Sequence, residues 1–342
     1  MMHFSYTGSG PYCYANSFAM MFGADAPSSG VIEFATGSPF GMQLIGGTMP
    51  FFDPYGWDPE KGFEDALSAL GWTSTVTQGG EADEALVRLR AALAGGQVWI
   101  GPVEMGHLRH QPGMRGPIAA DHYVVVLEAD DERVLMHDPQ GYPYASLPIA
   151  DFMAAWKART LTYGTPYTMR TGFKRVANMS EIDTIKASIP NAIRWLSMEG
   201  DLGMPAGSLG NGEAAEALAA RIETGCDDEL RGHMIHFAVR VGARRAADAA
   251  TYLARAGYSE AAQIADRQAR AIGAMQHPLV FGHDAAAAAA LRETGTHLRH
   301  PAHGIAEAKL NAGQPWGLAS ERRRPQARRL ENRPPPRQLF RR

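Results

Sequence analysis

Residues 121–156 read DHYVVVLEADDERVLMHDPQGYPYASLPIADFMAAW and carry the clearest structural signal in this chain. Residues 122–128 and 133–137 are short runs of β-branched and long apolar side chains next to acidic residues, which predicts two strands. His122 opens the first strand, and Asp138 follows the second. If the two strands pair as a hairpin, these two side chains become near neighbours at one end of it.

The rest of the first half of the chain alternates predicted helices and strands. An apolar pattern with helical spacing covers residues 13–23 and follows the turn-like residues 8–11, so a helix should begin close to Cys13. Further helices are predicted at residues 61–70, 81–94 and 149–157, and further strands at residues 97–103 and 167–173. The first half therefore indicates an α+β fold.

Only helical periodicity continues after about residue 178, where alanine becomes abundant and no strand is predicted. The predicted helical segments are residues 180–198, 212–224, 227–256, 258–274 and 285–295. We therefore expect an α+β domain at residues 1–177 and an all-helical C-terminal domain at residues 178–312. Two domains also suit the length of 342 residues, because a domain typically has about 100–200 residues.

The end of the chain differs in composition from the rest. Residues 321–342 contain nine Arg, two Glu and four Pro, so they contribute +7 to a formal net charge of −3 and leave −10 for residues 1–320. We expect residues 313–342 to form a disordered Arg/Pro-rich tail, since few apolar side chains are available there. The acidic body gives no electrostatic reason to bind nucleic acid or an anionic membrane, although the tail could serve as a basic arm.

Cysteine content and hydropathy indicate the cellular compartment of the protein. Cys13 and Cys226 are the only cysteines, too few for a disulfide framework, which fits a reducing compartment. The N-terminus has no basic segment followed by an apolar one, and no run approaches the roughly 18 apolar residues of a membrane span. We therefore expect a cytoplasmic protein that does not enter a membrane.

Cys13 is the first candidate for chemistry. It stands at the predicted start of an apolar helix behind a glycine-rich approach, where the helix dipole and unpaired backbone N–H groups favour a thiolate. The alternative is a small buried apolar residue, which is the commoner fate of a lone intracellular cysteine.

His122 and Asp138 favour the functional interpretation. The Asp138 carboxylate could accept a hydrogen bond from one imidazole nitrogen of His122 and direct the other nitrogen toward Cys13. In such a catalytic triad Cys13 attacks an acyl carbon, His122 transfers the proton and Asp138 orients the imidazole. Asp138 also suits a simple turn, because it begins the sequence Asp-Pro-Gln-Gly.

Three segments resemble a known group of proteins. These are CYANSFAMMFG at residues 13–23, GSPFGMQLIGG at residues 37–47 and the His/Asp segment quoted above. They are similar to the papain-like peptidases that cut double-glycine leaders in bacteriocin exporters, and more closely to the butirosin biosynthesis protein H family. The motifs cover residues 1–175, whereas residues 180–310 resemble that family in architecture only.

The resemblance implies a papain-like fold, in which an N-terminal helix carrying the cysteine packs on an antiparallel sheet and a helical domain follows. It also implies a cysteine-dependent acyltransferase. The best-understood member of the family moves an aminoacyl group from an acyl carrier protein to an amine of an aminoglycoside. The relation to peptidases implies an acyl-cysteine on the way, and no cofactor is expected.

The group that would stabilise the oxyanion departs from the peptidase pattern. Papain-like peptidases place a Gln six residues before the nucleophile, and Thr7 stands there in this chain. A hydroxyl of Thr7, Tyr6, Ser9 or Tyr12 could donate the hydrogen bond instead, beside the backbone N–H of Cys13. The loss of the Gln mildly favours acyl transfer from an activated thioester over peptide hydrolysis.

Substrate-binding candidates come from the vicinity of Cys13 and from the aromatic stretch PFFDPYGW at residues 50–57, which could wall an acceptor pocket or simply anchor a loop. The candidates are Tyr12, Asn16, Phe52, Tyr55 and Trp57. Residues 104–110 follow a predicted strand and form a loop that lies either near the site or in solvent. His233 and His236 lack a Cys or acidic partner at a metal-binding spacing, so no metal site is expected.

We therefore expect an enzyme that forms an amide in a natural-product pathway. An acyl or aminoacyl group would arrive as a thioester on an acyl carrier protein or another thioester donor, pass to Cys13 and leave on a small-molecule amine. One alternative is a peptidase or amidase that uses the same triad with water. Another is a catalytically silent peptidase-like module that binds a peptide or a carrier domain.

Overall fold

A computed structural model describes residues 11–199 and 202–298 of the chain. Those residues form a mixed α and β structure with antiparallel sheets and a helical C-terminal region, so the α+β class is confirmed at this level. The helices are α1 (Cys13–Phe22), α2 (Ser29–Ala35), α3 (Pro59–Leu70), α4 (Ala82–Leu93), α5 (Ile149–Trp156), α6 (Glu181–Ser197), α7 (Asn211–Thr224), α8 (Asp228–His233), α9 (Val239–Arg255), α10 (Ser259–Ala274), α11 (Gln276–Val280) and α12 (Asp284–Leu298). The strands are β1 (Gln43–Ile45), β2 (Met49–Phe51), β3 (Trp72–Thr77), β4 (Val98–Glu104), β5 (Asp121–Ala129), β6 (Arg133–Asp138), β7 (Tyr142–Pro148), β8 (Met169–Arg175) and β9 (Leu209–Gly210).

The larger sheet has six antiparallel strands in the order β3–β8–β4–β5–β6–β7. Its centre is the most apolar part, and every residue of β4 is buried. Strands β5 and β6 are consecutive in the chain and pair antiparallel, with Val125 opposite His137, so the expected hairpin is present. This pairing brings the start of β5 and the end of β6 to the same end of the sheet.

Helix α1 packs on this sheet because most of its side chains are apolar and buried. Phe18 stacks on Trp99 with ring centroids 4.9 Å apart, and Phe22 stacks on Trp72 at 4.5 Å. Burying a phenylalanine is worth roughly 1.5–3 kcal/mol, so these contacts hold the helix firmly. They fix the position of the first residue of α1 relative to the strands beneath it.

Two strands of the larger sheet are missing from the sequence prediction, and both lie at its edges. Strand β3 reads WTSTVT and β7 reads YPYASLP, and both are largely exposed. An edge strand tolerates proline and polar residues, so it lacks the apolar pattern that reveals a central strand. Helix α2 is also missing, because seven residues are too few for a helical period to show.

The smaller sheet corrects the expectation that no strand follows residue 178. Its order is β2–β1–β9, and β9 pairs with Gln43 and Leu44 of β1. Asn211 reinforces the pairing, since its backbone N–H donates to the carbonyl of Met42 at 2.7 Å and its Oδ1 accepts from the Met42 N–H at 3.3 Å. The prediction is wrong here because a strand of two residues has no periodicity to detect.

Helices α6 to α12 form the region that was expected to be helical, with two differences in detail. The segment 227–256 is α8, a π-helical turn at Met234–Ala238 and α9, rather than one helix. The short helix α11 is an addition to the prediction. None of the helices in residues 11–199 and 202–298 is both long enough and apolar enough to cross a membrane.

The helical region packs directly on the first half of the chain. Tyr252 of α9 meets Phe34 of α2 edge-on, with ring centroids 6.2 Å apart, and both belong to one buried cluster. Residues on both sides of the limit at 177 therefore share a core, and the domain limits themselves stay a prediction. The predicted tail at residues 313–342 lies outside the described residues.

Candidate active site

Cys13 is the first residue of α1, which places its side chain at the positive end of the helix. Tyr12 caps the helix with left-handed backbone angles, φ 100° and ψ 37°. Such angles are uncommon outside glycine and are held here by the surroundings of Tyr12, which is itself buried. The Tyr12 ring lies 3.9 Å below the guanidinium carbon of Arg244, and its hydroxyl donates to Asp248 Oδ2 at 2.9 Å.

The hairpin of β5 and β6 supplies the two partners of Cys13. His122 Nε2 donates to Asp138 Oδ1 at 2.7 Å, and both side chains are buried. The Cys13 thiol forms a hydrogen bond with the same imidazole. Because Asp138 engages Nε2, Nδ1 is the nitrogen that faces Cys13. The structure therefore brings the three residues of the predicted triad into one hydrogen-bonded series.

Asp138 is held by more donors than the sequence indicated. His110 Nε2 donates to Asp138 Oδ2 at 2.8 Å, Gln111 Nε2 donates to the same oxygen at 2.7 Å, and the backbone N–H of Gln140 donates to Oδ1 at 2.8 Å. Burial alone would raise the pKa of Asp138, but the charge of His122 and these hydrogen bonds hold that pKa well below its ordinary value.

The loop 105–120 therefore belongs to the site and does not simply face solvent. Sequence reasoning left the loop's position open and did not single out His110 or Gln111. The only available signal was a His-Gln pair in the loop that follows a predicted strand, which is too common to indicate a role. Glu104 holds the loop in place, because its carboxylate accepts from the backbone N–H groups of Gly106 and Ile118 at 3.1 and 3.0 Å.

Charges around the triad set its protonation. Burial by itself would lower the pKa of His122, but Asp138 and the hydrogen bond to Cys13 raise that pKa well above its ordinary value. Burial raises the pKa of the Cys13 thiol, and the nearby imidazole of His122 partly offsets this. The raised pKa of His122 favours its imidazolium form, so loss of the thiol proton from Cys13 yields a thiolate beside an imidazolium.

His137 takes no part in this series. It is buried on the other side of β6, where its Nδ1 accepts from the backbone N–H of Tyr144 at 3.1 Å and its ring meets the Tyr144 ring edge-on at 4.5 Å. The alternation of side chains along a strand separates His137 from its neighbour Asp138.

A cleft of about 430 Å³ opens beside Cys13, which is within the size range of small-molecule sites. The charged residues that line it are predominantly acidic. They are Glu33, Asp53, Asp58, Lys61, Asp121 and Arg245. Four carboxylates thus face two cations, and a cationic group of a ligand would improve the balance.

Arg245 is buried at the floor of this cleft and joins the helical region to the first half. Its Nε donates to Glu33 Oε1 at 2.8 Å, its Nη1 lies 3.4 Å from Asp53 Oδ2, and its Nη2 donates to the Tyr14 hydroxyl at 3.0 Å. Burial raises the pKa of Asp53 to about 6, although Arg245 opposes this. The buried Glu33 Oε2 has no hydrogen-bond partner among the described residues.

Asp121 lies at the start of β5, next to His122, and lines the cleft. It forms a hydrogen bond with Tyr163, whose hydroxyl lies 3.1 Å from that of Tyr123. Burial raises the pKa of Asp121. Within residues 11–199 and 202–298 no Lys or Arg forms an ion pair with it. Asp121 is therefore the carboxylate best placed to meet a cation next to Cys13.

The predicted substrate-binding residues divide into two groups. Tyr12 and Trp57 line the cleft. Asn16 is buried within α1, Phe52 packs against Gly242 of α9, and Tyr55 lies beside Gly210, so these three are not among the residues of the cleft wall. An aromatic stretch alternates its side chains between cleft and core, and the sequence does not tell which side each one takes.

Three of the four candidates for the oxyanion hydrogen bond, Tyr6, Thr7 and Ser9, lie outside the described residues. The Tyr12 hydroxyl is engaged by Asp248. No group of three or more metal-binding side chains occurs within residues 11–199 and 202–298, and His233 donates from Nε2 to the carbonyl of Pro50 at 2.7 Å.

Comparisons with known proteins relate this chain to YobF. Residues 205–300 match a family model described as the YobF C-terminal domain. The chain is also 31% identical over 161 residues to an uncharacterized protein, YobF, of Bacillus subtilis strain 168. That match covers 46% of this chain and 52% of the relative, so the chain spans about half the length of the curated relative it matches. The region that matches the family model includes Arg245 of the cleft floor.

Proposed function

We propose that this protein is a papain-like, cysteine-dependent acyltransferase that forms an amide from a thioester and a small-molecule amine. The observation that carries the proposal is the hydrogen-bonded series Cys13–His122–Asp138, which begins at the start of a helix and opens into a cleft. Cys13 lies on a helix that packs on an antiparallel sheet, and His122 lies on a central strand of that sheet. This arrangement supports the papain-like assignment. The sulfur and imidazole are arranged as nucleophilic catalysis requires.

The first step transfers the acyl group to the enzyme. The thiolate of Cys13 attacks the thioester carbonyl carbon, the bond from that carbon to the donor sulfur breaks, and the departing thiolate takes a proton from His122. The product is an acyl-Cys13 and a free donor thiol. Asp138 keeps the His122 ring in the orientation that serves both the attack and the proton transfer.

The second step releases the acyl group as an amide. The amine attacks the acyl-Cys13 carbon, its proton passes to His122, and the carbon–sulfur bond to Cys13 breaks, which restores the thiolate and the imidazolium. The acidic cleft supports an amine as acceptor, because Asp121 lies beside the nucleophile and no Lys or Arg of the described residues pairs with it. A second, protonated amino group of the acceptor would bind there.

The donor and the compartment follow from the same chemistry. An acyl carrier protein presents its acyl group as a thioester, which needs no further activation before Cys13 attacks it. Both cysteines of the chain are free thiols, which supports a reducing compartment such as the cytoplasm. We place the reaction in natural-product biosynthesis, where such carrier proteins supply acyl groups.

Intact-protein mass spectrometry tests the proposal. Wild type, Cys13→Ala and the matched control Cys226→Ala are incubated with acyl-loaded carrier proteins and simple thioesters. Wild type and Cys226→Ala should gain the acyl mass and Cys13→Ala should not, and an added amine should discharge the acyl group as an amide. Release as the free acid alone would indicate a hydrolase. If no donor acylates Cys13 and a thiol reagent leaves it unmodified, the enzyme proposal is wrong and a binding module takes its place.

A further inference from the structure

An aromatic cluster contributes to the cleft wall and is formed by residues distant in sequence from Cys13, His122 and Asp138. Phe51, His233 and Phe237 form it, and we refer to it as the aromatic lip. The ring centroids of Phe51 and His233 are 5.2 Å apart, those of His233 and Phe237 are 5.7 Å apart, and those of Phe51 and Phe237 are 6.2 Å apart. Phe51 and Phe237 line the same cleft as Cys13.

The aromatic lip is open to solvent although it is apolar. The Phe237 side chain is 41% exposed, and Phe51 is half-buried. Burial lowers the pKa of His233, so its ring is neutral at pH 7 and compatible with an apolar neighbour. An exposed aromatic side chain in the wall of a cleft commonly marks a surface that a ligand covers.

Local backbone structure places Phe237 there. The π-helical turn Met234–Ala238 interrupts the helical run between α8 and α9, and Phe237 lies within it. A π-helical turn accommodates an extra residue and changes the direction of the side chains that follow, and such turns are frequent at functional sites. His233 directly precedes this turn, and the hydrogen bond from its Nε2 to the carbonyl of Pro50 ties the helical run to strand β2, which carries Phe51.

Four more apolar residues line the cleft together with the two phenylalanines: Ile45, Met204, Pro205 and Val241. Val241 lies four residues after Phe237 and four before Arg245 along the same helical run. A ligand that fills the cleft therefore meets apolar groups as well as the carboxylates.

We propose that the aromatic lip binds the apolar chain of the acyl group, so that the enzyme selects medium-length or aromatic acyl donors over acetyl donors. The inference rests on the proposed function, because the acyl carbon has to sit on the Cys13 sulfur. Cys13 and the two phenylalanines line the same cleft, and the part of the acyl group beyond the carbonyl has to occupy that cleft. Phe237 and Val241 lie in the region that matches the YobF C-terminal domain, so that region contributes to donor selection.

Alkylation of Cys13 by N-alkyl chloroacetamides tests the aromatic lip without acyl transfer. The Cys13 sulfur forms a bond to the reagent's methylene carbon, chloride leaves, and the thiol proton goes to solvent. In wild type the N-hexyl reagent should modify Cys13 about 10-fold faster than the N-methyl reagent, since apolar contacts of a few methylenes discriminate by at least this factor.

Three variants assign that preference to the aromatic lip. Phe237→Ala should lower the preference to less than threefold, and Phe237→Leu should restore most of it. The matched control Phe281→Ala removes a phenylalanine of the same helical region that is 64% exposed and does not line the cleft, and it should leave the preference unchanged. Hexanoyl and acetyl thioesters, compared by mass spectrometry, should show the same order.

The outcomes separate this proposal from the one above. Equal alkylation rates for the two reagents in wild type, or a preference that survives Phe237→Ala in a protein with an unchanged circular dichroism spectrum, would overturn the aromatic lip. Acylation of Cys13 by acetyl and hexanoyl donors at equal rates would overturn it too, while leaving the acyltransferase in place. Failure of every thioester to acylate Cys13 would instead contradict the proposed function.

Discussion

Asp138 at the end of β6 and Asp53 at the cleft floor are both withdrawn from water, yet their ionisation shifts in opposite directions. Asp138 accepts hydrogen bonds from His110, His122 and Gln111, and its pKa is held well below the ordinary value. The pKa of Asp53 is raised to about 6, although Arg245 lies nearby. Burial is unfavourable for both charges, so the number and kind of donors decide the outcome.

This difference separates two roles. At the hairpin the carboxylate is fully satisfied, which keeps it anionic and keeps His122 protonated. At the cleft floor one guanidinium is shared by Glu33 and Asp53, and one oxygen of Glu33 has no partner in the described part of the chain. A satisfied carboxylate fixes the orientation of the ring that it binds, whereas an incompletely satisfied one leaves room for a ligand.

Asp138→Asn should give the largest effect. An amide cannot stabilise the His122 imidazolium, and its NH₂ group opposes the donors at His110 and Gln111. We expect the rate of Cys13 acylation, measured in single-turnover experiments, to fall by about 10³–10⁴-fold, as when the carboxylate of a Ser-His-Asp triad is replaced. Gln140→Ala keeps its backbone donor and serves as the control. Acylation within tenfold of wild type would show that Asp138 does not support His122.

Arg245→Met tests the cleft floor, where Arg245 is the cation that Glu33 and Asp53 share. It leaves two buried carboxylates without their cation, and breaking a buried ion pair in this way costs about 3–5 kcal/mol of unfolding free energy. Urea denaturation at pH 7 measures it. The matched control Arg270→Met removes an exposed arginine paired with Asp266 on α10 and should leave the unfolding free energy nearly unchanged. Similar losses in both variants would mean that the buried network contributes no more than a surface pair.

The rate at which iodoacetamide alkylates Cys13, measured as a function of pH, reports how the charged neighbours of Cys13 shift its pKa. Burial raises the pKa of Cys13, so the rate should still be rising above pH 9. His122 lowers that pKa and Asp121 raises it. His122→Asn should therefore slow alkylation at pH 8 and Asp121→Asn should accelerate it, by up to about tenfold for each unit of change in pKa. Changes of the opposite sign would contradict the assignment of these two neighbours.

The pH dependence of stability gives the smallest effect. The pKa of Asp53 is about 6 in the folded protein and near 3.8 when exposed, so the folded state takes up a proton first as the pH falls. The unfolding free energy should therefore increase by about 1 kcal/mol from pH 7 to pH 5 through this group. The increase should disappear in Asp53→Asn. An increase of the same size in that variant would assign the effect to another group.

Much of the local structure could be predicted from sequence, and the site only in part. The hairpin, the helix that begins at Cys13 and the helical second half all follow from patterns within 10 to 40 consecutive residues. His122 and Asp138 could be predicted as neighbours because a hairpin brings together residues that are close in sequence. Gln111 and Asp121 gave no such signal, since neither residue type nor spacing distinguishes them from ordinary loop and strand-end residues.

Sequence also left the walls of the cleft undetermined. Periodicity tells which face of α9 is buried, but not that Arg245 on that face meets Glu33 and Asp53, which precede it by 212 and 192 residues. The aromatic stretch at residues 50–57 could form a pocket wall or anchor a loop, and the structure divides it, since Phe51 and Trp57 line the cleft while Phe52 enters the core. Which side chain takes which side depends on the helices that pack against the stretch.

Local sequence thus specified most of the elements and the position of Cys13 at the start of a helix, because helix starts, strand pairing and turns are set by interactions between residues close in sequence. The folded structure specified the donors around Asp138, the shared guanidinium at the cleft floor and the aromatic lip. Those arise from contacts between distant segments, and their energies depend on burial and on the exact partners that packing brings together.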